Sequence, residues 1–277
     1  MRMVSSLRSR FLALIVLPLL AACAAPAAQQ PAPQEAPPGY GAMVDEGITI
    51  PAVKPNQFIG SPPREDVAYN GPEAPGTIVV DAFARKLYLV EQGGMARRYS
   101  IAVGRAGLGF RGNATVNRKQ KWPSWTPTAN MIRTMPEFYA EYAGGLPGGL
   151  ENPLGSRALY LYRGGRDTYF RIHGTIDNRS IGRATSAGCI RLFNQDIIDL
   201  YDRIPLGTTV KSRSREESER LEGKFMEDEW GLLIPYDASR LEEIAAKRAI
   251  NEKKLEEQIA REAAEAAAEH QAGTLGQ

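Results

Sequence analysis

Two histidines and two cysteines are all that 277 residues provide of the side chains best suited to nucleophilic and metal chemistry. They do not sit together. Cys23 follows an apolar N-terminal run and His270 lies in a polar C-terminal tail, which leaves His173 and Cys189, sixteen positions apart, in the body of the chain. Both have glycine-bearing contexts, Ile172-His173-Gly174-Thr175 and Ser186-Ala187-Gly188-Cys189-Ile190-Arg191-Leu192. A thiol becomes a good nucleophile when an imidazole or a cation favours its thiolate. Gly188 lets a carbonyl approach the backbone closely, and Arg191 supplies a positive charge that favours thiolate or holds a carboxylate. The pattern points to covalent chemistry at a carbonyl, with Cys189 as a nucleophile activated by the imidazole of His173 or a nearby cation. The bland alternative is a small buried cysteine and a satisfied histidine. A lone His, a lone Cys and Gly-Cys-x-Arg together weigh against it. No disulfide framework or four-cysteine zinc site can be built from this inventory, and no metal is expected.

These side chains need elements to hold them. Thr77–Asp81, Lys86–Val90 and Arg98–Val103 are β-branched or aromatic runs separated by short breaks, and they predict a meander. Two further strands fit Arg157–Tyr162 and Asp167–His173, and Thr208–Val210 a last one. Between Gly104 and Gly155 the chain is rich in Gly, Pro and Trp, with short helices expected only near Met131 and over Glu137–Tyr142. Asn194-Gln195-Asp196 opens a helix in which Asn194 caps and Ile197, Leu200, Tyr201 and Ile204 share a face; Pro205 and Gly207 stop it. The expected class is mainly β, a mixed-sheet core with short helices.

The flanks differ from the body. Arg2, Arg8 and Arg10 precede the apolar run Phe11–Leu20, which is too short to span a bilayer and reads as an export signal. Its end, Leu20-Ala21-Ala22-Cys23, resembles the bacterial lipoprotein box. That resemblance implies cleavage before Cys23 and acylation of its thiol; simple cleavage near the Ala-rich stretch is the alternative. Ala24, where an Asp would resemble an inner-membrane retention signal, favours the outer membrane and the periplasmic side of the envelope. Residues 23–75, with 11 prolines from Ala24 onward, are expected to be an extended tether. Residues 213–277 form a charged, largely helical extension, with Ala, Glu, Lys and Arg dominating Arg240–His270. The net charge of +2 divides into 23 basic against 16 acidic residues before Lys211 and 11 against 16 from there on. A nucleic-acid partner is not expected. A mildly cationic body suits an anionic polymer, though such an excess is usually just a solvated surface.

Taken together, His173-Gly174-Thr175 and Ser186-x-Gly188-Cys189-Ile190-Arg191 resemble the L,D-transpeptidase catalytic domain of the YkuD type. The resemblance runs from about Gly76 to Val210, within a catalytic domain set at 76–212, and includes Trp122-Pro123-x-Trp125-x-Pro127 and Pro147-Gly148-Gly149…Asn152-Pro153-Leu154-Gly155. It implies a β-sandwich-like mixed sheet and acyl transfer on peptidoglycan tetrapeptide stems without a cofactor. Cys189 would attack the carbonyl at the L-centre of diaminopimelate, and His173 would relay the proton. The Cys189 N–H, with Gly188, would form the oxyanion site. A backbone carbonyl near Ser186 would orient the imidazole. Arg191, Gly174 and Thr175 would meet the substrate; Trp122 and Trp125 could line its cleft, though aromatic residues bounded by prolines more often pack a loop. The acceptor would be an amine of a second stem or of a protein. Two alternatives stay open, water as acceptor and a non-catalytic wall-binding lipoprotein. One departure stands out: many members carry a histidine directly before Gly-Cys, where this chain has Ala187. Gly107-Leu108-Gly109-Phe110-Arg111-Gly112 matches a dinucleotide-loop pattern but precedes a segment with Pro123 and Pro127 and no helical period, so no phosphate site is expected.

Overall fold

A computed structural model describes residues 35–105, 109–186 and 188–275. Cys23, Gly107, Leu108 and Ala187 lie outside the described residues. In chain order the strands are β1 (Met43–Asp45), β2 (Ile48–Ile50), β3 (Glu65–Ala68), β4 (Ile78–Asp81), β5 (Lys86–Glu91), β6 (Met95–Ser100), β7 (Val103–Gly104), β8 (Asn113–Lys121), β9 (Arg157–Arg163), β10 (Arg166–His173), β11 (Ala184–Ser186), β12 (Ile190–Arg191), β13 (Thr209–Ser212), β14 (Phe225–Glu227) and β15 (Leu233–Pro235). The α-helices are α1 (Ala129–Thr134), α2 (Pro136–Tyr139), α3 (Asn194–Arg203), α4 (Arg215–Glu222) and α5 (Leu241–Leu275). The protein is mainly β, with a large mixed sheet and few short helices ahead of α5.

Nine strands form that sheet in the order β12-β10-β9-β8-β13-β4-β5-β6-β3. The β10–β12 and β13–β4 pairs are parallel and the remainder antiparallel. Past β6, Ala102 exchanges backbone hydrogen bonds of 2.9 and 3.0 Å with Arg191 of β12, so the far side of the sheet curls back onto its opposite edge. The enclosed core holds Ile78, Leu87, Leu89, Tyr99, Val116, Leu159, Leu161, Ile172 and Ile190. One face of α3 fills the same core through Ile197, Leu200 and Ile204, with Tyr201 half-buried beside it. Each such side chain contributes about 2 kcal/mol by leaving water.

The expected strands and α3 are present within a few residues, and three expectations need correction. First, Gly104–Gly155 hides the long central strand β8, whose Ala114 and Val116 alone point into the core. Its polar half is held by stacking instead: Arg118 lies 4.4 Å over the Tyr160 ring and Lys119 4.1 Å over Tyr201. The Lys119 ammonium also donates to the Tyr201 and Ile204 carbonyls at 2.6 Å each, satisfying the end of α3. Because β8 rather than a helix follows Gly112, the glycine pattern there lacks the helix N-terminus a phosphate site needs.

Second, the tether does not extend to residue 75. Tyr40, Ile50 and Val53 are fully buried, and Tyr40 packs edge-on against Phe58 and Phe193 at 4.9 and 5.9 Å. The β1–β2 hairpin and β3, which pairs with β6, belong to the folded body. Prolines spaced through this segment still allow isolated apolar residues between them to dock. Asp45 forms a bidentate pair with Arg157 at 2.7 and 2.8 Å, and the Tyr40 hydroxyl donates to the buried Asp196 at 2.7 Å. Burial raises the Asp196 carboxyl to about 6, while Tyr40 and Arg64 act to lower it.

Third, Asn194 does not cap α3. The N-cap is Phe193, without a side-chain bond, and Asn194 is buried one position later. In the C-terminal extension, a Ser214–Glu217 capping box starts α4 and a β14–β15 hairpin precedes α5. Ile244 anchors the first turns of α5, whereas Leu255 and Ile259 are exposed, as expected of a solvated helix.

Candidate active site

The parallel pairing of β10 with β12 decides which residues meet. Ile172 is registered with Ile190 and His173 with Arg191, which puts Cys189 at the position opposite Arg171. Alternate strand residues share a face, so His173 and Arg191 project to the same side at the ends of adjacent strands. The pairing thus brings together backbone positions sixteen residues apart.

His173 is 4% exposed. Its Nδ1 lies 2.6 Å from the Gly174 carbonyl, a pure acceptor, so Nδ1 carries the proton and Nε2 keeps its lone pair. Burial, with the Arg191 and Arg171 charges adding, drives the imidazole down to about 3. It is neutral at neutral pH. Burial also raises the Cys189 thiol, against the opposing pull of Arg171 and Arg191. The resting pair is therefore thiol and imidazole, not thiolate and imidazolium.

The thiol sits against a distortion in β10. Register with β9 shifts between Asp167 and Arg171, and within this bulge Tyr169 takes φ +62°, a costly conformation for a bulky residue. Asp167 accepts the Tyr169 N–H at 2.8 Å and is itself gripped by Arg171 at 2.7 Å through both oxygens. The bulge turns the Tyr169 carbonyl to 3.9 Å from Cys189 Sγ and the Arg171 N–H toward the same sulfur. Strained backbone of this kind persists only where its surroundings hold it, commonly beside reactive groups.

The loop before Cys189 is laced by Ser186. Its hydroxyl donates to the Cys189 carbonyl at 2.6 Å and accepts the Gly188 N–H at 3.1 Å. Gly188 has φ +137°, which a side chain would strain. Two expected roles change. The Gly188 N–H is already engaged, so of the two donors named for an oxyanion site it is the Cys189 N–H that is left. The Ser186 carbonyl accepts from Arg105 N–H at 3.1 Å, and the imidazole is oriented by Gly174 instead.

Arg191 is half-buried, and its guanidinium has no hydrogen-bond or ion-pair partner among the described residues. Burial lowers its pKa, while Cys189, Asp177 and the Tyr139 phenol nearby act to raise it. A desolvated cation without a partner is suited to a carboxylate brought by a ligand. The remaining expected contacts are structural. Thr175 is buried, with its hydroxyl accepting the Asp177 N–H, and Gly174 is enclosed. The Trp122 indole donates to Asp45 at 2.8 Å, tying it to the N-terminal segment. Trp125 packs against Tyr139 and Tyr142 at 6.2 Å and pairs with Leu146, which folds back the loop bearing α1 and α2. Tyr139, Tyr169 and Arg171 were not expected at the site. Only the bulge and the loop closure place them there, and neither leaves a spacing signal.

Comparison with known proteins shows the family of the domain that holds these residues. The family model described as the L,D-transpeptidase catalytic domain, YkuD, matches residues 75–211. An Escherichia coli (strain K12) protein, "Probable L,D-transpeptidase ErfK/SrfK", is 38% identical over 138 residues, covering 49% of this chain and 43% of that one. A Fuscovulum blasticum protein, "Putative L,D-transpeptidase in ATP synthase subunits region ORF 5", is 38% identical over 136 residues, 48% of this chain and 67% of its own length. This chain thus spans less than half of the first relative and two thirds of the second. A solved Brucella melitensis structure, "Probable carnitine operon oxidoreductase caia", is 52% identical over 52% of this chain and 89% of that one, with a TM-score of 0.38. Its name stays with that protein, and so low a TM-score says nothing of the fold. With a catalytic-domain model matched across the segment that holds His173 and Cys189, and relatives of the same description, the chain belongs to the L,D-transpeptidase (YkuD) family.

Proposed function

We propose that this protein is an exported cysteine L,D-transpeptidase of peptidoglycan stem peptides. The observation that carries the reading is the β10–β12 register, which sets His173 opposite Arg191, two positions past Cys189, where the Arg191 guanidinium has no hydrogen-bond or ion-pair partner among the described residues. Cys189 Sγ attacks the carbonyl at the L-centre of diaminopimelate while His173 Nε2 takes the thiol proton. A neutral imidazole and a neutral thiol suit this timing, because charge separates only as the C–S bond forms. The Cys189 N–H stabilises the tetrahedral oxyanion. The bond to the terminal D-alanine then breaks, His173 returns its proton to the leaving amine, and a thioester remains. An acceptor amine attacks that thioester, loses a proton to His173, and regenerates the thiol. Arg191 holds a carboxylate of the stem.

The acceptor is an amine of a second stem or of an envelope protein. Lipid on Cys23 tethers the enzyme to the periplasmic side of the envelope, at the outer membrane, in keeping with the Leu20-Ala21-Ala22-Cys23 box and Ala24. The test is intact-protein mass spectrometry after incubation with a carbapenem. One covalent adduct is expected on the wild type and none on Cys189→Ala. No adduct on the wild type, or one that survives the substitution, contradicts the reading.

A further inference from the structure

Asparagine early in a helix normally caps it, and Asn194 does not. It is 6% exposed, and both ends of its amide are spent on other segments. Oδ1 accepts the Ser156 N–H at 2.9 Å and Nδ2 donates to the Thr175 carbonyl at 3.0 Å. One partner can only donate and the other only accept, which fixes the amide's orientation. Ser156 leads into β9 and Thr175 follows β10, so the amide bridges the two strands just beyond His173. Two glycines make room for it. A Cβ on Gly155 or Gly174 would stand 2.3 or 2.2 Å from Asn194 Oδ1. Gly174 is also tied by its N–H to the Arg157 carbonyl at 3.1 Å, and its own carbonyl takes the His173 Nδ1–H.

We propose that Asn194 is a positioning residue for His173: its amide packs on Gly174 and anchors the Thr175 carbonyl, one peptide beyond, so that the Gly174 carbonyl stays on Nδ1 and Nε2 is presented to the thiol. This rests on His173 being the base of the proposed reaction. A neutral imidazole chooses its tautomer by the partner its nitrogens find, and with the Gly174 carbonyl free to swing the Leu154 backbone, the other acceptor beside the ring, competes for the proton. An asparagine needed only for packing would leave that choice untouched.

The tautomer can be read directly by nitrogen NMR on the full chain labelled with ¹⁵N-histidine. With two histidines, a His270→Gln variant identifies the His173 signals. The wild type is expected to show one Nδ1–H tautomer. Asn194→Ala is expected to show a mixture of Nδ1–H and Nε2–H, with kcat on a tetrapeptide stem falling at least tenfold and KM staying within threefold. Asn194→Asp keeps an acceptor for Ser156 but loses the donor to Thr175, and is expected to fall between the two. It carries the test if the alanine variant does not fold. A folded variant whose His173 signals match the wild type overturns the proposal, whatever its activity. A tautomer shift in a protein whose wild type has no transfer activity leaves the clamp standing and contradicts the transpeptidase reading instead.

Discussion

An imidazole held at Nδ1 by a carbonyl acts as a base in one direction only, and for His173 the electrostatics sharpen the consequence. Its folded pKa lies far below that of a free histidine, and the Cys189 thiol lies above that of a free cysteine, both chiefly through burial. Between those limits neither is charged. Alkylation of Cys189 by iodoacetamide should therefore be slow at pH 6–8 and climb through the alkaline range above the ordinary thiol value. A rate independent of pH from 6 to 9 would mean a preformed thiolate–imidazolium pair and contradict this account. At this scale the sequence was most informative, because scarcity did the sorting: one histidine and one cysteine remain once the tail and the N-terminal cysteine are set aside. The roles of their neighbours were less legible. Ser186 and Gly188 are near enough in sequence to be named, but which of their polar atoms is free depends on hydrogen bonds to one another and to Arg105.

Strands β4, β5, β9 and β10 were legible because their apolar residues run together, and α3 because its core residues recur on one face. β8 was not, since only Ala114 and Val116 face inward and cation–aromatic stacking replaces hydrophobic contact along its other half. The segment around β1 and β2 was missed for another reason. Its attachment is a set of single anchors without a period, chief among them Asp45 on Arg157, whose side chain is 3% exposed. Removing one partner of a buried pair leaves an uncompensated charge. Asp45→Ala should destabilise the fold by about 3 kcal/mol, measured as urea unfolding. The same Asp45 is held well below the usual carboxylate range by its hydrogen bond to Arg157. Its stabilisation is present above the unfolded-state value and is lost as pH falls through the folded one, so the gap between Asp45→Ala and wild type should narrow in acid. A variant within 0.5 kcal/mol of wild type at pH 7, the usual range of a neutral surface change, would show the segment to be loosely attached.

Over the whole molecule, the cationic body and anionic extension are separate surfaces in sequence, and α5 carries Leu255 and Ile259 exposed beyond its anchored first turns. Among the described residues no helix is long and apolar enough to cross a membrane. The proposed attachment, a lipid on Cys23, is tested separately. Cys23→Ala should move the protein from the membrane pellet to the soluble fraction of the envelope while its activity on soluble stems stays unchanged. A variant still in the pellet would place the anchor elsewhere. The transfer itself is tested most directly by mixing the purified protein with a tetrapeptide stem and weighing it intact. The account predicts that the wild type gains the mass of a tripeptide stem acyl group as one D-alanine is released, that an added diaminopimelate amine discharges the adduct into a crosslinked product, and that Cys189→Ala does neither. A wild-type protein that neither gains that mass nor releases D-alanine would contradict it.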